Sequence, residues 1–385
     1  MTSSHQVPDP DRLGAVQRLF DIRTPFVAGA EYDARFVAAV NEINLWHAER
    51  NAFFAALWKD AGEPRLDGVE DLARLPFVHA SFFKRHEIRS VPAEDVALRL
   101  TSSGTTGQKS QVFLDAWSAA IMEELDTRTF DAFGWVDPSE QVNYLVYGYE
   151  PKPAFDNGAT FGLGYVTDMA PARAIRFGLR HTGADHAFDP FGCVEALLRY
   201  AEEGIPVRIL GFPAFLHFTL ERMAGLGVPP LRLHPRSLVF LGGGWKGHAD
   251  RAIPKEDLYA SVREQLGVPD DRIREAYGSV EHPLPYYECA RHRLHTTTWG
   301  RMLVRAVDTL EPLPWGEPGY AHFVSPFITS MPAHSIVMND LVSLRPAEDC
   351  GCGLPTPWFT VHGRAGVSRS RSCAVAASEL IKAGI

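Results

Sequence analysis

The run Thr101-Ser102-Ser103-Gly104-Thr105-Thr106-Gly107-Gln108-Lys109-Ser110 constrains this chain more than any other segment. It gathers hydroxyls, two glycines and a lysine between an alternating strand-like stretch (Val96, Leu98, Leu100) and an apolar periodic stretch that reads as a helix from Phe113 to Phe130. Glycine lets backbone N–H groups approach an anion closely, and short hydroxyls add further donors. A triphosphate is the guest such a loop suits, with Ser102, Ser103, Gly104, Thr105, Thr106, Gly107 and Lys109 as the candidate ligands. The spacing fits neither G-x-x-x-x-G-K-[ST] nor G-x-G-x-x-G, so neither a P-loop NTPase nor a dinucleotide fold is supported. A solvated loop of the same composition is the plain alternative.

Composition excludes several classes. A chain of 385 residues, 45% of them hydrophobic, can bury a large core in one large domain or two closely joined ones. A formal net charge of −9, with no basic run, argues against a nucleic-acid surface. Met1 to Asp11 lacks the apolar core of a signal peptide and no segment approaches eighteen apolar residues, so a soluble, cytoplasmic protein without membrane contact is expected. Five cysteines, an odd number, make no disulfide framework in a chain of this size.

Tyr32, Phe36, Val40, Ile43, Trp46, Phe53 and Leu57 recur at helical spacing, which predicts one or two amphipathic helices near the N-terminus. Strand-like runs (142–146, 207–210, 238–241) then alternate with helical ones (191–203, 213–226, 256–266), the pattern of an α/β fold with a central sheet. Beyond residue 296 the helical period fades, and runs at 302–307, 319–324 and 340–344 separated by Pro and Gly suggest a smaller β-rich region. The expected division is a helical segment over 1–95, an α/β nucleotide-binding core over 96–295, a β-rich subdomain over 296–362, and a hinge with a short tail over 363–385.

Four further segments stand in a telling order. They are Gly242-Gly243-Gly244-Trp245-Lys246 after an apolar strand, Tyr277-Gly278-Ser279-Val280-Glu281, Asn339-Asp340, and Gly363-Arg364. Together with the Ser/Thr/Gly loop they resemble, from about residue 96 to the C-terminus, the adenylate-forming superfamily. That resemblance implies an α/β fold like the N-terminal domain of those enzymes, with ATP and Mg2+ as cofactors. It implies that Tyr277 and Gly278 meet adenine, that Gly243 and Gly244 line its pocket, that Glu281 holds magnesium, and that Asp340 and Arg364 reach the ribose. Lys246 and Lys109 then stabilise charge.

Only 21 residues follow Arg364, whereas ordinary members continue with a further subdomain bearing a catalytic lysine. A truncated tail is therefore expected to complete the reaction differently. It carries Cys373 near Arg369 and Arg371, cations that would favour a thiolate nucleophile if close in space. In length, loop, Gly-Gly-Gly-Trp-Lys and tail cysteine the chain resembles the acyl-protein synthetases of bacterial bioluminescence. The implied activity is ATP-dependent conversion of a carboxylic acid to an acyl-adenylate, transfer to Cys373 as a thioester, and delivery to a partner acyl reductase. The alternative is an AMP-forming ligase that passes the acyl group directly to coenzyme A, an amine or a carrier-protein thiol, with Cys373 a small hydrophobe.

The other cysteines form a second constellation. Cys289, His295, Cys350 and Cys352 offer three thiolates and one imidazole, a set suited to closed tetrahedral structural Zn2+, with unliganded cysteines as the plain reading. His292 competes for the fourth position, and His295 is preferred because it lies beyond the basic turn 291–293. Cys193, beside Phe191 and Leu197 on an apolar helical face, reads as core. Tyr147 to Glu150 and Gly211 to Pro213 follow strands and suit either an acyl pocket or strand-end packing. The identity of the acid is not written in these residues.

Overall fold

The computed structural model describes residues 5–102, 109–151, 169–183, 185–245, 247–284 and 286–365. Ser103, Gly104, Thr105, Thr106, Gly107, Lys246 and Cys373, all singled out above, lie outside the described residues. The chain forms two compact units, one of 1–132, 278–286 and 293–385, the other of 133–277 and 287–292.

The first unit opens with helices α1 (Gly14–Phe20), α2 (Ala30–Arg50) and α3 (Ala52–Asp60). In α2 the acids Glu31 and Asp33 sit in the first turn and Arg50 in the last, which suits the helix dipole, while Phe36, Val40, Ile43 and Trp46 form its buried stripe. The Asn51 side chain accepts from Phe54 N–H at 2.9 Å and starts α3. A short strand β1 (Val78–His79) follows.

Next come β2 (Val96–Thr101) and β3 (Gln111–Asp115), paired antiparallel with Thr101 opposite Gln111 and Arg99 opposite Phe113. Here the structure corrects the sequence reading. The helix α4 (Ala116–Ala132) does not begin at Phe113, and the Ser/Thr/Gly loop links two strands of a hairpin instead of a strand and a helix. Val112, Phe113 and Leu114 are buried on β3, and the Asp115 carboxylate accepts from Ser118 N–H at 2.8 Å, which fixes the start of α4. A short apolar run at a helix start has no periodicity of its own to mark it as a strand.

The second unit is built on a mostly parallel sheet. Its strands are β4 (Val142–Tyr149), β5 (Ala172–His181), β6 (His186–Phe188), β7 (Val207–Gly211), β8 (Leu238–Gly242), β9 (Ile273–Tyr277) and the short β10 (Tyr286–Tyr287), in the order β10-β9-β8-β7-β4-β5-β6. β5, β4, β7, β8 and β9 are parallel and β6 is antiparallel on β5. Helices α5 (Pro190–Glu203), α6 (Pro213–Gly225) and α7 (Lys255–Leu266) supply the covering core, with Cys193, Leu197, Leu216, Leu220 and Val262 packed on Leu145, Ile209 and Val239. Strands buried on both faces read as unbroken apolar runs, which is why they were legible in sequence. Cys193 is fully buried and its thiol is pushed up to about 12 by desolvation, as expected of a core cysteine.

The first unit then resumes with β11 (Leu294–His295), β12 (Arg301–Arg305), β13 (Gly319–Val324), β14 (Ser335–Arg345) and β15 (Trp358–Arg364). They form the sheet β11-β15-β14-β13-β12, antiparallel throughout, with β1 added parallel to β14. This is the β-rich region expected after residue 296, joined in the same unit by the N-terminal helices.

Candidate active site

Within the second unit, four parallel neighbours end at one edge of the sheet. β4 ends at Tyr147–Tyr149, β7 at Gly211, β8 at Gly242 and β9 at Tyr277, and the register pairs Tyr147 with Gly211, Gly211 with Leu241, and Gly242 with Ala276. The carboxyl ends of parallel strands are where ligands of open α/β sheets bind, because the diverging connections leave a crevice there. Residues separated by dozens of positions in sequence thus share one edge. Gly243 and Gly244, both at positive φ (75° and 67°), form the turn off β8, and Tyr277 is half-buried at the tip of β9. Phe212 N–H donates to Tyr147 O at 3.0 Å, and the Tyr149 and Phe212 rings meet edge-on at 6.0 Å. Tyr147 itself is fully buried, so strand-end packing accounts for it, while Tyr149 and Gly211 are half-buried at the sheet edge.

Within the first unit, Ser102 and Ser110 close the neck of the Ser/Thr/Gly loop. Ser102 N–H donates to Ser110 O at 3.1 Å and Ser110 N–H to Ser102 Oγ at 3.0 Å. Lys109 is exposed beside this neck. The turn carrying Glu281 is tied by His282 N–H donating to Ser279 Oγ at 3.1 Å, and the Ser279 hydroxyl lies 3.8 Å from Met338 Sδ on β14. Glu281 is 7% exposed, and Asp340 follows Met338 two residues on along the same strand.

Asp340 and Arg364 are register partners across β14 and β15, and Arg364 Nε stands 3.5 Å from Asp340 Oδ1. An irregularity in the pairing between Leu341 and Val342 makes this possible. Gly363 absorbs it with φ of 143°, a backbone that a side chain at Cβ strongly disfavours, so the Gly-Arg pair of the motif is a bulge followed by the residue it re-aims.

Three of the four soft donors also gather in the first unit. His295 Nε2 is 3.3 Å from both Cys350 Sγ and Cys352 Sγ, and its Nδ1 lies 2.8 Å from Thr356 O. A carbonyl can only accept, so Nδ1 carries the proton and the Nε2 lone pair faces the thiols. Burial lowers the His295 pKa, which keeps the ring neutral and able to ligate. Gly351 and Gly353, at φ of 69° and 88°, alternate with the two cysteines in the loop between β14 and β15. Leu354 N–H donates to Cys352 Sγ at 3.5 Å. In the second unit, buried Cys289 accepts from Arg291 N–H at 3.3 Å, again two residues on. His292, the rejected competitor, is engaged with Asp270 (2.9 Å) and Glu288 (3.6 Å).

Sequence reasoning did not find Glu288. Its side chain is fully buried, and it accepts from Lys255 Nζ at 2.5 Å, Tyr259 OH at 2.9 Å and Glu275 N–H at 2.8 Å, which ties α7 to the end of β9. A single Glu in a polar turn gives no sequence signal for this. Nor did it find the convergence of Lys84, Arg85, Arg99 and Lys109 in one concavity, for which the triplet Lys84-Arg85-His86 was the only trace.

Similarity to known proteins agrees with this geometry. The family model of acyl-protein synthetase, LuxE, matches residues 64–382. A long-chain-fatty-acid–luciferin-component ligase of Vibrio harveyi is 24% identical over 284 residues, 73% of this chain and 72% of its own length. Its counterpart from Aliivibrio fischeri is 23% identical over 325 residues, 83% of this chain and 82% of its own. A phenylacetate-coenzyme A ligase of Thermus thermophilus is 28% identical over 315 residues, 79% of this chain and 64% of its own. Among solved structures, 2-hydroxyisobutyryl-CoA ligase in complex with 2-HIB-AMP superposes with a TM-score of 0.64 at 14% identity, over 89% of this chain and 71% of that one, a likeness of fold. The chain belongs to the acyl-protein synthetase (LuxE) family and has the adenylate-forming fold, and it is an AMP-forming ligase that uses ATP to activate a carboxylic acid as its acyl-adenylate.

Proposed function

We propose that the acyl group passes from the adenylate to Cys373 of this chain and from there, as a thioester, to a partner acyl reductase. The carrying observation is that every other cysteine is accounted for. Cys193 is sealed in the core with its thiol held protonated, and Cys350 and Cys352 lie against His295. Cys289, six residues before His295 in sequence, is assigned to the same zinc set on that spacing. That leaves Cys373, inside the family match, as the free nucleophile.

In the first step a carboxylate oxygen of the acid bonds to the α-phosphorus of ATP, and the bond from that phosphorus to the β-phosphate bridge oxygen breaks, releasing pyrophosphate. Ser102, Ser103, Gly104, Thr105, Thr106, Gly107 and Lys109 hold the phosphates, and Lys246 stabilises charge developing at the reacting phosphorus. Tyr277 and Gly278 meet adenine, Gly243 and Gly244 line its pocket, and Asp340 and Arg364 take the ribose hydroxyls. Glu281 is the magnesium ligand, and the bound ion would neutralise phosphate charge. In the second step the Cys373 thiolate attacks the acyl carbon, the anhydride C–O bond breaks, and AMP leaves. An intramolecular thiol has a high effective concentration, so capture outpaces hydrolysis. The zinc set is closed, so it serves stability and takes no part in turnover.

The similarity to a phenylacetate-coenzyme A ligase favours a second reading, direct transfer to coenzyme A, an amine or a carrier thiol. Intact mass separates the two after incubation with MgATP and a panel of carboxylic acids. A hydroxylamine-labile acyl adduct on Cys373 supports self-acylation. An unmodified protein that consumes ATP only with an external thiol or amine supports direct transfer.

A further inference from the structure

Beside the neck of the Ser/Thr/Gly loop the first unit has a 440 Å3 concavity whose charge is almost all of one sign. Among the described residues Lys84, Arg85, His86, Arg99 and Lys109 line it, with Glu87 the one acid. Glu87 is turned to Arg89, at 3.5 Å. Among the described residues none of Lys84, Arg85, Arg99 and Lys109 has a carboxylate within ion-pairing distance, and Arg99 instead donates to the neutral amide of Gln111. Four unpaired cations in one hollow repel one another, and they do so in a chain whose formal net charge is −9. Such a hollow is stabilised by an anion of several charges.

The walls say which kind. Among the described residues no aliphatic and no carbocyclic side chain lines the hollow, and the one ring, His86, has a face covered by Phe82 at 4.3 Å between centroids. A nucleoside would find neither the apolar walls nor the aromatic pair that bases usually need, whereas a compact inorganic polyanion needs only the cations and the Thr101 hydroxyl. The position is set by the hairpin. Thr101 and Lys109 stand at the two feet of the phosphate loop, Arg99 is two residues back along β2, and the triplet 84–86 completes the basic lining.

We infer that this hollow is a docking site for inorganic pyrophosphate, occupied by the leaving group after it has been cut from ATP and before it reaches solvent. The inference rests on the adenylation reading above. Linear polyphosphate could reach the hollow either as free pyrophosphate or as the tail of ATP, so the test separates these sources. Pyrophosphate is titrated calorimetrically into the full chain without ATP or acid, for wild type, Lys84→Ala, Arg85→Ala and the double variant. Steady-state pyrophosphate–ATP exchange then gives the two KM values for the same proteins.

The expected result is about tenfold weaker pyrophosphate binding in each single variant, a matching rise in its KM, and an ATP KM within about twofold of wild type. Salt should weaken pyrophosphate binding more steeply in wild type than in the double variant. Unchanged pyrophosphate binding in the double variant overturns the proposal, as does a parallel rise in both KM values, which would assign the hollow to the ATP tail. Absence of exchange with every acid, alongside variant-sensitive pyrophosphate binding, would tell against adenylation while leaving the docking site standing.

Discussion

Asp340 and Arg364 face each other across β14 and β15 only because a bulge at Gly363 lets the last residue of β15 reach back to the middle of the sheet. Asp340 is 13% exposed and Arg364 61%, so their ion pair is largely solvated on one side. Exposed pairs contribute about 1 kcal/mol or less. Asp340→Ala should therefore lower Tm by no more than about 4 °C, yet raise the ATP KM about 10- to 100-fold through lost ribose hydrogen bonds. Thermal melts and exchange kinetics on the same sample check this, and a large loss of stability with an unchanged KM would reduce Asp340 to a structural role.

Glu281 is buried on a turn tied by Ser279 to β14. Glu281→Ala should cut acid-dependent pyrophosphate exchange about 100-fold while leaving the fold intact. Partial rescue by raised Mg2+ would add weight to a metal-holding role; exchange at the wild-type rate would remove Glu281 from the site.

Purified protein should contain close to one equivalent of zinc by elemental analysis. Cys352→Ser removes one of the two thiols beside His295 Nε2 and should lower both the metal content and the melting temperature, the latter by about 5–10 °C. A fully folded protein with no metal would eliminate the site.

Acid should destabilise the first unit through its buried imidazoles. His47 and His334 stack at 5.1 Å, His47 takes the Ser90 hydroxyl and Ile328 carbonyl, and His322 Nδ1 accepts from Arg305 Nε at 3.0 Å. Desolvation depresses all of them and His282, with His282 and His334 brought to about 3 from 6.5. Because the folded state binds these protons less readily, their contribution to stability is complete above pH 6.5. It is lost as pH falls from there toward 3. With at least two such groups, the slope between pH 6 and 4.5 should approach about 2.7 kcal/mol per pH unit. Denaturant titrations across that window test it, and a slope below one proton would refute the burial of these rings.

Cys373→Ser should still exchange pyrophosphate at the wild-type rate but retain no hydroxylamine-labile acyl group and feed no acyl reductase. Normal transfer by this variant to coenzyme A or an amine would replace self-acylation with direct ligation.

Much of this protein was legible in its sequence, for reasons of pattern. The central strands 142–149, 207–211 and 238–242 are buried on both faces and so appear as plain apolar runs, and the helices between them carry a full helical period. His295 could be preferred over His292 from its place beyond a basic turn, and the structure sets His295 against Cys350 and Cys352 while His292 pairs with Asp270. Most motif residues could be named in order because they sit at the ends of elements, where Gly and short polar residues concentrate, with Asp340, in the middle of β14, the exception. What the sequence could not carry was the partner of each residue. Whether Gln111–Asp115 is a strand or a helix start depends on pairing with β2, ten residues away, and not on its own composition. The re-aiming of Arg364 onto Asp340 depends on a bulge, the burial of Glu288 on Lys255 and Tyr259, and the basic hollow on a hairpin that brings Arg99 and Lys109 to Lys84 and Arg85. Local propensity reports what a segment can be; contacts between residues distant in sequence decide which of those it becomes, and only the tertiary structure holds them.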